Sequence, residues 1–443
     1  MQYLSDIQIH SDLSIFIYFL ILILISISTS SSLISSINIH QERIRKLVHF
    51  SVGILCAFST YIFQTKSYPI TLAIIFCIIN IYAQFNKKIL KGLHPSNRIS
   101  YGTIYFPIAY IIHVLFFWDY KNYFLLSFLI LAICDPLAAV IGKSIKKKKY
   151  FIIWNDSKTV YGTLVFFSSA FILSYIFGYK TFNTSFNNLL LFSIFIALGS
   201  TIAEITSNRG TDNISIPIVS ILFMFCFEMH NKEIIILSNS FIFDHKKLFY
   251  IVLSLFSLTY WFNLISTSGY YGGLLMATII TFLGGIKYIL PLSLFFILSS
   301  LLSSISKKVE ITKIIKPKRN IIQVYANGGI SLLICIYNYF YPSQLNYYLF
   351  LSSVCAAIAD TWATEIGKFS KNDPISIINF QKIKKGLSGG ITILGCFGSI
   401  LGTIILTTIF FIIYQFPIKI FILLNISGIL SSILDSILGG TIQ

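Results

Sequence analysis

Long apolar runs separated by short polar connections extend along the whole chain. Each run has roughly 17 to 25 residues, enough for a helix to cross about 30 Å of hydrocarbon. Because the apolar residues are continuous rather than alternating, the pattern favours helices over the strands of a membrane barrel. It predicts an all-α, polytopic helical membrane protein with about 15 transmembrane helices. Their centres lie near Ile25, Cys56, Phe76, Ala109, Ala132, Ser168, Phe195, Ile221, Phe256, Met276, Phe296, Leu333, Cys355, Gly402 and Ile429.

Composition supports the membrane prediction. Hydrophobic residues make up 56% of the chain and charged residues only 11%, whereas soluble domains carry about 25% charged residues. So few charges cannot cover a soluble surface, but they suffice for a protein that faces lipid. We therefore expect an integral, multi-pass protein with the lipid bilayer as a partner, in the inner membrane of the cell if the source is bacterial.

The net charge of +17 follows the connections between runs. Of the 33 lysines and arginines, 25 fall in one alternating set of connections and 8 in the other. By the positive-inside rule this bias predicts an N-terminus outside and a C-terminus in the cytoplasm, with no nucleic-acid partner. The first run has no basic segment before it and no obvious cleavage site, so we expect a retained helix rather than a signal peptide.

The chain is predicted to contain two fused membrane domains. Its longest polar stretch away from the basic connections runs from about Glu228 to Lys247. We place the domains at residues 1–230 and 247–443, with a linker at 231–246. The halves share no obvious repeat, which favours fusion over duplication. The seven cysteines stand singly in apolar runs, and no pair has metal-ligand or redox spacing.

Acidic residues gather near the face predicted to be cytoplasmic. Ionisable groups at membrane depth are costly and by default mark function. Each acid alone could instead pair with a loop lysine or cap a helix, but six of them beside lysines and glycines favour a polar site for an anionic substrate. They are Asp135, Glu204, Asp212, Asp360, Glu365 and Asp435.

The residues around these acids suit phosphate chemistry. Carboxylates can hold Mg²⁺, lysines can neutralise phosphate oxygens, and glycines can expose backbone N–H groups. No Walker A loop is present, and the lysines at 146–149 fit a topogenic, lipid-contacting patch better than a catalytic one. Asp360 and Glu365 are five residues apart, about 140° around a helix, so both could line one cleft if the helix unwinds at Gly367. Glycine pairs in membrane helices can equally serve close packing.

Five blocks in the N-terminal half resemble, in order, those of the phytol kinase and dolichol kinase family of CTP-dependent polyprenol kinases. The blocks are Arg45-Lys46-x-x-His49, Ser100-Tyr101-Gly102-Thr103, Asp135-x-x-Ala138-x-x-x-Gly142, Lys158-Thr159-x-x-Gly162 and Glu204 followed by Asp212-Asn213-x-x-x-Pro217. The resemblance implies Mg²⁺-assisted phosphoryl transfer from CTP to an isoprenoid alcohol, with catalysis by Asp135, Lys158 and Asp212 and with Asp135 and Glu204 as metal ligands. The implied nucleotide- and phosphate-binding residues are Arg45, Lys46, His49, Gly142, Lys143, Thr159, Gly162 and Asn213.

The C-terminal half resembles the phytyl-phosphate kinase family, membrane proteins proposed to add the second phosphate to an isoprenyl monophosphate. The blocks are Gln323-Val324-x-Ala326-Asn327-Gly328-Gly329, residues 359–367 (Ala-Asp-Thr-Trp-Ala-Thr-Glu-Ile-Gly) and Gly386-x-Ser388-Gly389-Gly390. The resemblance implies catalysis by Asp360, Glu365 and Asp435, metal binding by Asp360 and Glu365, and CTP or another nucleoside triphosphate as donor. The implied phosphate-binding residues are Arg319, Asn327, Gly328, Gly329, Gly386, Ser388, Gly389 and Gly390.

Both resemblances together predict a bifunctional kinase that converts an isoprenoid alcohol, such as phytol, geranylgeraniol or farnesol, into its monophosphate and then its diphosphate. Two alternatives remain open. A cytidylyltransferase of the CDP-diacylglycerol synthase type would also use CTP but would leave a CMP-lipid. A transporter or flippase would predict acids at many membrane depths and matching broken helices in the two halves.

Overall fold

Helices dominate the protein, as the apolar runs predict. The structure, a computed structural model, describes residues 12–37, 41–85, 100–145, 149–182, 184–231, 245–309 and 318–442. It is 81% helical, which confirms the all-α class, and each of the fifteen predicted centres lies in a helical segment. Lysines 146–148 and linker residues 232–244 lie outside the described residues.

Eleven helices in the described part are long and apolar enough to cross a membrane. The helix Gly102–Phe117 is apolar but shorter, and the 43-residue helix Thr267–Val309 counts once although it is broken at Gly285, where φ is 64°. Such a positive φ is readily adopted only by glycine. The two predicted centres Met276 and Phe296 lie on opposite sides of this break, within the one assigned helix. The total number of spans and their orientation stay predictions.

The chain divides into two compact units, Met1–Glu228 and Met229–Gln443. The first contains a chain of helices with one short hairpin. Its elements are α1 (Asp12–Ile37), α2 (Gln41–Ile62), α3 (Ser67–Phe85), α4 (Gly102–Phe117), α5 (Lys121–Leu129), a π-helical turn (Ile130–Cys134), α6 (Asp135–Ser144), β1 (Tyr150–Ile152), β2 (Ser157–Thr159), α7 (Val160–Thr181), α8 (Phe186–Ile205) and α9 (Asp212–Asn231), whose last residues pass the unit boundary.

The second unit has six helices and a small two-stranded pairing in its described part. Its elements are α10 (His245–Trp261), α11 (Thr267–Val309), α12 (Ile321–Phe340), α13 (Gln344–Gly367), β3 (Ile375–Ser376), β4 (Gly390–Ile391), α14 (Ile393–Tyr414) and α15 (Ile418–Ile442). Both strand pairs are antiparallel. Neither pair was predicted, because segments of two or three residues are too short to show a period of two.

Apolar side chains face outward and small polar side chains face the interior of each bundle. Ile78 and Leu333 are both 62% exposed, as expected for lipid-facing residues. Between helices, Ser200 and Ser220 share a hydrogen bond of 2.8 Å, and Asn425 donates to Thr407 at 2.9 Å. Interhelical hydrogen bonds and small residues are how membrane bundles associate, because apolar burial gives little advantage in lipid.

Contacts between connections agree with the predicted alternation of membrane faces. On the face predicted to be cytoplasmic, the N–H of Tyr101 donates to the carbonyl of Arg209 at 2.9 Å. On the opposite face, the N–H of Thr65 donates to Asp12 at 2.9 Å, and Lys66 lies 3.6 Å from Asp119. In each case, connections assigned to one face by counting basic residues come together.

Gly428 lies where α13, α14 and α15 meet. A Cβ there would lie 2.5 Å from Cγ2 of Thr403 and 3.0 Å from the carbonyl oxygen of Cys355, whereas a Cβ at Gly329 in α12 would meet no atom within 4 Å. We predict that Gly428→Ala lowers the free energy of unfolding by about 1–3 kcal/mol, because the added methyl overpacks the bundle.

Gly329→Ala is the matched control and should be neutral or stabilise by up to about 1 kcal/mol through helix propensity. Thermal unfolding of both variants in detergent tests the pair. Equal unfolding temperatures for the two would contradict the packing described for α15.

Candidate functional site

Helix α2 carries two candidate site residues and a glycine on one face. Lys46, His49 and Gly53 are spaced by three and four residues, which puts them on the same face. A Cβ at Gly53 would lie 2.6 Å from Cβ of Ala132 in the π-helical turn. Glycine is therefore needed for the close approach of α2 to this turn, and the approach brings this face to Asp135.

The π-helical turn sets the position of Asp135. Residues 130–134 form one wide turn, and α6 starts at Asp135 with Pro136 in its first turn, where a missing N–H is tolerated. Lys46 forms an ion pair and hydrogen bond with Asp135, and Nε2 of His49 lies 3.9 Å from the same carboxylate oxygen. Asp135 therefore lies inside a helical run that extends from Lys121 to Ser144 and contains this π turn.

A second ion pair lies between the hairpin and α8. Lys158, in β2, donates to Glu204 at 2.6 Å and to the hydroxyl of Ser207 at 3.0 Å. That hydroxyl in turn donates to the carbonyl oxygen of Glu204 at 2.7 Å. Burial acts to lower the pKa of Lys158, but Glu204 and Asp212 outweigh it and raise the pKa. The ammonium group therefore stays charged.

Asp212 joins these pairs electrostatically. It opens α9, and its charge acts on His49, Lys158 and Glu204. The side chain of Asn213 donates to Asp212 at 2.9 Å and to the carbonyl of Gly210 at 3.1 Å. A two-residue left-handed turn precedes Asp212 and Asn213. Its φ angles are 49° at Arg209 and 94° at Gly210. The first-unit cluster is thus Lys46, His49, Asp135, Lys158, Glu204 and Asp212.

The predicted Ser-Tyr-Gly-Thr block supports this turn. A Cβ at Gly102 would lie 2.6 Å from Nδ2 of Asn213. The Tyr101 N–H bonds to Arg209, and the Arg209 N–H bonds to Asp156 in the hairpin at 3.0 Å. The block therefore connects the start of α4 to the segment that holds Asp212 and Asn213.

Two buried atoms of the cluster have no hydrogen-bond partner in the described part of the chain. They are Nε2 of His49 and Oε2 of Glu204. Buried polar groups in folded proteins are nearly always paired, so an unpaired one calls for an explanation such as a ligand or water. Both residues belong to the first-unit cluster, so two polar atoms without a hydrogen-bond partner among the described residues lie beside its charged groups.

Three predicted phosphate-binding residues serve helix packing. A Cβ at Gly142 would lie 2.6 Å from Oγ1 of Thr159 and 3.0 Å from Cα of Gly162. Thr159 caps α7 by accepting from the Gly162 N–H at 3.1 Å. The close crossing of α6 and α7 explains this block without a ligand. Of the other predicted residues, Arg45 lies beside Lys46 in α2, and Lys143 is exposed near the end of α6.

In the second unit, the carboxyl groups of Asp360 in α13 and Asp435 in α15 are close enough for their charges to interact. Glu365 instead pairs with Lys368 and accepts a hydrogen bond from Ser306 in α11. Asp360 and Glu365, which were expected to line one cleft if the helix unwinds at Gly367, therefore have separate partners. Gly367 ends α13, so the two acids stay on different sides of a regular helix.

Arg319 reaches the same region from the connection before α12. Its guanidinium lies 3.4 Å from the hydroxyl of Ser300 and 5.5 Å from the ring centre of Phe296. Burial lowers the pKa of Arg319, and the charge of Glu365 partly offsets this effect. The second-unit cluster is thus Arg319, Glu365 and Lys368, with Ser300 and Ser306 as hydrogen-bond partners, while Asp360 and Asp435 form a separate pair.

The predicted glycine motifs of this unit lie in two different settings. Asn327, Gly328 and Gly329 lie about two turns inside α12 rather than before it, and a Cβ at Gly328 would lie 2.6 Å from Sδ of Met276. Their backbone belongs to the helix, so this block fits packing better than a phosphate cradle.

The loop with Gly386, Ser388, Gly389 and Gly390 lies against the end of α15. A Cβ at Gly389, where φ is 80°, would lie 2.6 Å from Cα of Gly440. Gly390 belongs to β4, whereas a Cβ at Gly386 would meet no atom within 4 Å. Only the Gly386 end of the loop is open.

The sequence analysis missed two serines that form hydrogen bonds with candidate site residues. Ser207 follows Glu204 by three residues at a helix end, a spacing that could have revealed it. Ser306 is 59 residues from Glu365, and no local pattern connects them. In the described residues, no group of three or more His, Cys, Asp or Glu side chains is placed to hold a metal ion.

Comparison with known proteins gives one family and several distant relatives. Residues 250–443 match the family model described as integral membrane protein DUF92. An uncharacterized membrane protein of Methanocaldococcus jannaschii is 31% identical over 182 residues, which are 40% of this chain and 75% of the relative. Protein PGR of Arabidopsis thaliana is 27% identical over 205 residues, 40% of this chain and 71% of the relative.

A probable chloroplastic phytol kinase of Oryza sativa subsp. japonica is 24% identical over 206 residues. That match covers 42% of this chain and 64% of the rice protein. No solved structure matches the chain. The family match begins at residue 250, close to the predicted start of the second domain. Together with its apolar helices, these matches show that the chain is a multi-pass integral membrane protein and belongs to the DUF92 family.

Proposed function

We propose that this protein is a bifunctional isoprenoid-alcohol kinase that forms the monophosphate with CTP and then the diphosphate. The observation that carries the proposal is the first-unit cluster, in which segments far apart in sequence bring lysines, acids and a histidine together. Similarity to a probable phytol kinase supports the substrate class. The division into two compact units supports two separate reaction sites.

In the first step, the alcohol oxygen attacks the γ-phosphorus of CTP, the bond from that phosphorus to the bridging oxygen breaks, and CDP leaves. Asp135 and Asp212 take the base and metal-binding roles, and the hydroxyl proton passes to the carboxylate that acts as base. Lys158 neutralises phosphate oxygens, which its raised pKa permits by keeping it charged. Catalysis of this kind depends on positioning and on electrostatic stabilisation.

The first-unit cluster fits Mg²⁺, although its own side chains do not provide a complete set of metal ligands. This ion commonly takes one or two carboxylates and completes its shell with water and substrate phosphates. The unpaired Oε2 of Glu204 supplies one open carboxylate oxygen. When bound, Mg²⁺ neutralises charge on the transferring phosphoryl group.

The second step uses the second unit. The oxygen of the isoprenyl monophosphate attacks the γ-phosphorus of CTP or another nucleoside triphosphate, and the nucleoside diphosphate leaves. Two neighbouring carboxyl groups, Asp360 and Asp435, repel each other unless a proton or a cation relieves them. This makes them the better fit for Mg²⁺, whereas Glu365 is neutralised by Lys368. Arg319 and Lys368 supply positive charge for the phosphates.

Both sites belong at the cytoplasmic face if the positive-inside bias sets the orientation. Nucleotides would then reach them directly, and the isoprenoid would stay in the same leaflet between the two steps. If the source is bacterial, the membrane is the cell inner membrane.

Broken helices in both units give some support to the alternative of a transporter. However, the two breaks have different surroundings. The π-helical turn lies directly before the candidate site residue Asp135. A Cβ at Gly285 would have a single atom of the described residues within 4 Å, Cε1 of His245 at 3.5 Å, and His245 is not a candidate site residue. Uptake of labelled isoprenyl phosphate into vesicles, without any labelled product, would favour transport.

Asp135→Asn should lower the rate of monophosphate formation at least about 100-fold, because it removes a carboxylate from the reacting centre. Detergent-purified protein would be incubated with Mg²⁺, γ-labelled CTP and a panel of isoprenoid alcohols, and labelled lipids would be separated. Asp119→Asn makes the same chemical change in an exposed pair and should retain activity within about twofold.

A second variant separates catalysis from folding. Asp135→Asn leaves the ammonium group of Lys46 without its partner, which alone can destabilise the bundle. The double variant with Lys46→Gln removes both charges and should recover thermal stability without recovering activity. Recovery of both would show that Asp135 acts only through the structure.

Asp435→Asn should block diphosphate formation and leave the first step intact, so the monophosphate accumulates. The same labelled lipids measure this outcome, with the exposed Asp373→Asn as the control. Loss of both products in Asp435→Asn, with an unchanged unfolding temperature, would contradict the assignment of one step to each unit.

A further inference from the structure

A cavity of about 410 Å³ opens where α10 ends and α11 begins. Small-molecule sites commonly have volumes of about 300–1,000 Å³. None of its lining residues belongs to the second-unit cluster. The lining residues are Tyr260, Trp261, Asn263, Ile265, Ser266, Thr267 and Lys318.

Backbone contacts fix the floor of this cavity. Ile265 pairs with Arg319 in a parallel bridge, and the Ser266 N–H donates to the Arg319 carbonyl at 3.0 Å. A Cβ at Gly269 would lie 2.4 Å from the same carbonyl oxygen. The connection before α12 is therefore held tightly against the start of α11.

The side chains offer one positive charge, hydroxyl groups and aromatic surface. Lys318 donates to the amide oxygen of Asn263 at 2.8 Å, and no carboxylate of the described residues forms an ion pair with it. Ser266 and Thr267 stand at the N-terminus of α11, where the helix dipole favours anions. Trp261 is 80% exposed and Tyr260 is 41% exposed, so both rings are accessible for stacking.

The cavity and the second-unit cluster lie on two sides of one short extended segment. Consecutive side chains of such a segment point in opposite directions. Lys318 lines the cavity, while Arg319 reaches Ser300 and acts on Glu365. A ligand held by Lys318 is thus one residue away from the cluster assigned to the second step.

We propose that this cavity binds the nucleoside triphosphate of the second step, with its base against Trp261 and Tyr260 and its phosphates at Lys318 and the start of α11. The inference rests on the proposed second kinase activity. A phosphate group alone would explain Lys318 but not the two aromatic rings. An isoprenyl chain would need an aliphatic wall, whereas Ile265 is the one aliphatic lining residue.

The fluorescence of Trp261 gives a local test that does not depend on turnover. The chain has 4 tryptophans, and the signal of Trp261 is isolated by comparison with Trp261→Phe. Full-length protein in detergent would be titrated with CTP, ATP, GTP, UTP, inorganic phosphate and geranylgeranyl phosphate, with correction for nucleotide absorbance. We expect at least one nucleotide to quench this signal saturably.

Lys318→Gln should raise the Kd from that titration about tenfold or more, because it removes a charge-assisted contact to phosphate. Lys371→Gln makes the same change at an exposed lysine on the same predicted face and should leave the Kd unchanged. Absence of a Trp261-dependent change with every nucleotide, or a change with geranylgeranyl phosphate alone, would overturn the proposal.

The two failures can be told apart. If nucleotides bind here but no diphosphate is ever made, the kinase assignment fails and the binding site stands. If diphosphate is made and Lys318→Gln leaves the KM for the nucleotide unchanged, the site fails and the kinase assignment stands.

Discussion

A charge inside a bundle of membrane helices must be paired, and this requirement organises the first unit. Asp135 is held by Lys46, and Glu204 is held by Lys158. Loss of one partner of a buried pair is costly, because the other charge is then left in a medium of low dielectric constant. Gly53 permits the first pair by letting α2 touch the π-helical turn. The hairpin of β1 and β2 allows the second pair, because it places Lys158 next to Glu204 of α8.

The charged residues of the second unit are paired in a different way. Lys368 pairs with Glu365 and Arg319 interacts with its charge, while Asp360 and Asp435 lie near each other. Two neighbouring carboxyl groups hold a proton or attract a cation, so added positive charge would be favourable at this pair. The difference suits the order of the proposed reactions. The second acceptor is already an anion, and its approach needs more positive charge than the approach of an alcohol.

Much of the first-unit cluster follows from the sequence. Asp135, Glu204 and Asp212 were predicted because charges within or beside apolar runs stand out against a lipid-facing background. Lys46, His49 and Lys158 were predicted from the resemblance to the polyprenol kinase family. The hairpin was not predicted, since three-residue strands have no readable period. Gly142, Gly162 and Gly328 lie in close helix packing, and their phosphate-binding role stays a prediction. Glycine serves both purposes, and only neighbours distant in sequence decide between them.

Contacts between residues far apart in sequence were the other feature that the local sequence pattern could not predict. The partnership of Asp360 with Asp435 joins α13 to α15, and that of Ser306 with Glu365 joins α11 to α13. Helix periodicity relates residues within one helix but says nothing about which helices pack together. The angle between Asp360 and Glu365 around the helix therefore did not reveal their separate partners.

The most direct measurement is a time course with tritiated geranylgeraniol, Mg²⁺ and CTP on the purified full-length protein. Two sequential kinases predict that label passes from the alcohol into the monophosphate and then, after a lag, into the diphosphate. Label that stays in the alcohol throughout, across a panel of nucleotides and isoprenoid alcohols, would contradict the account.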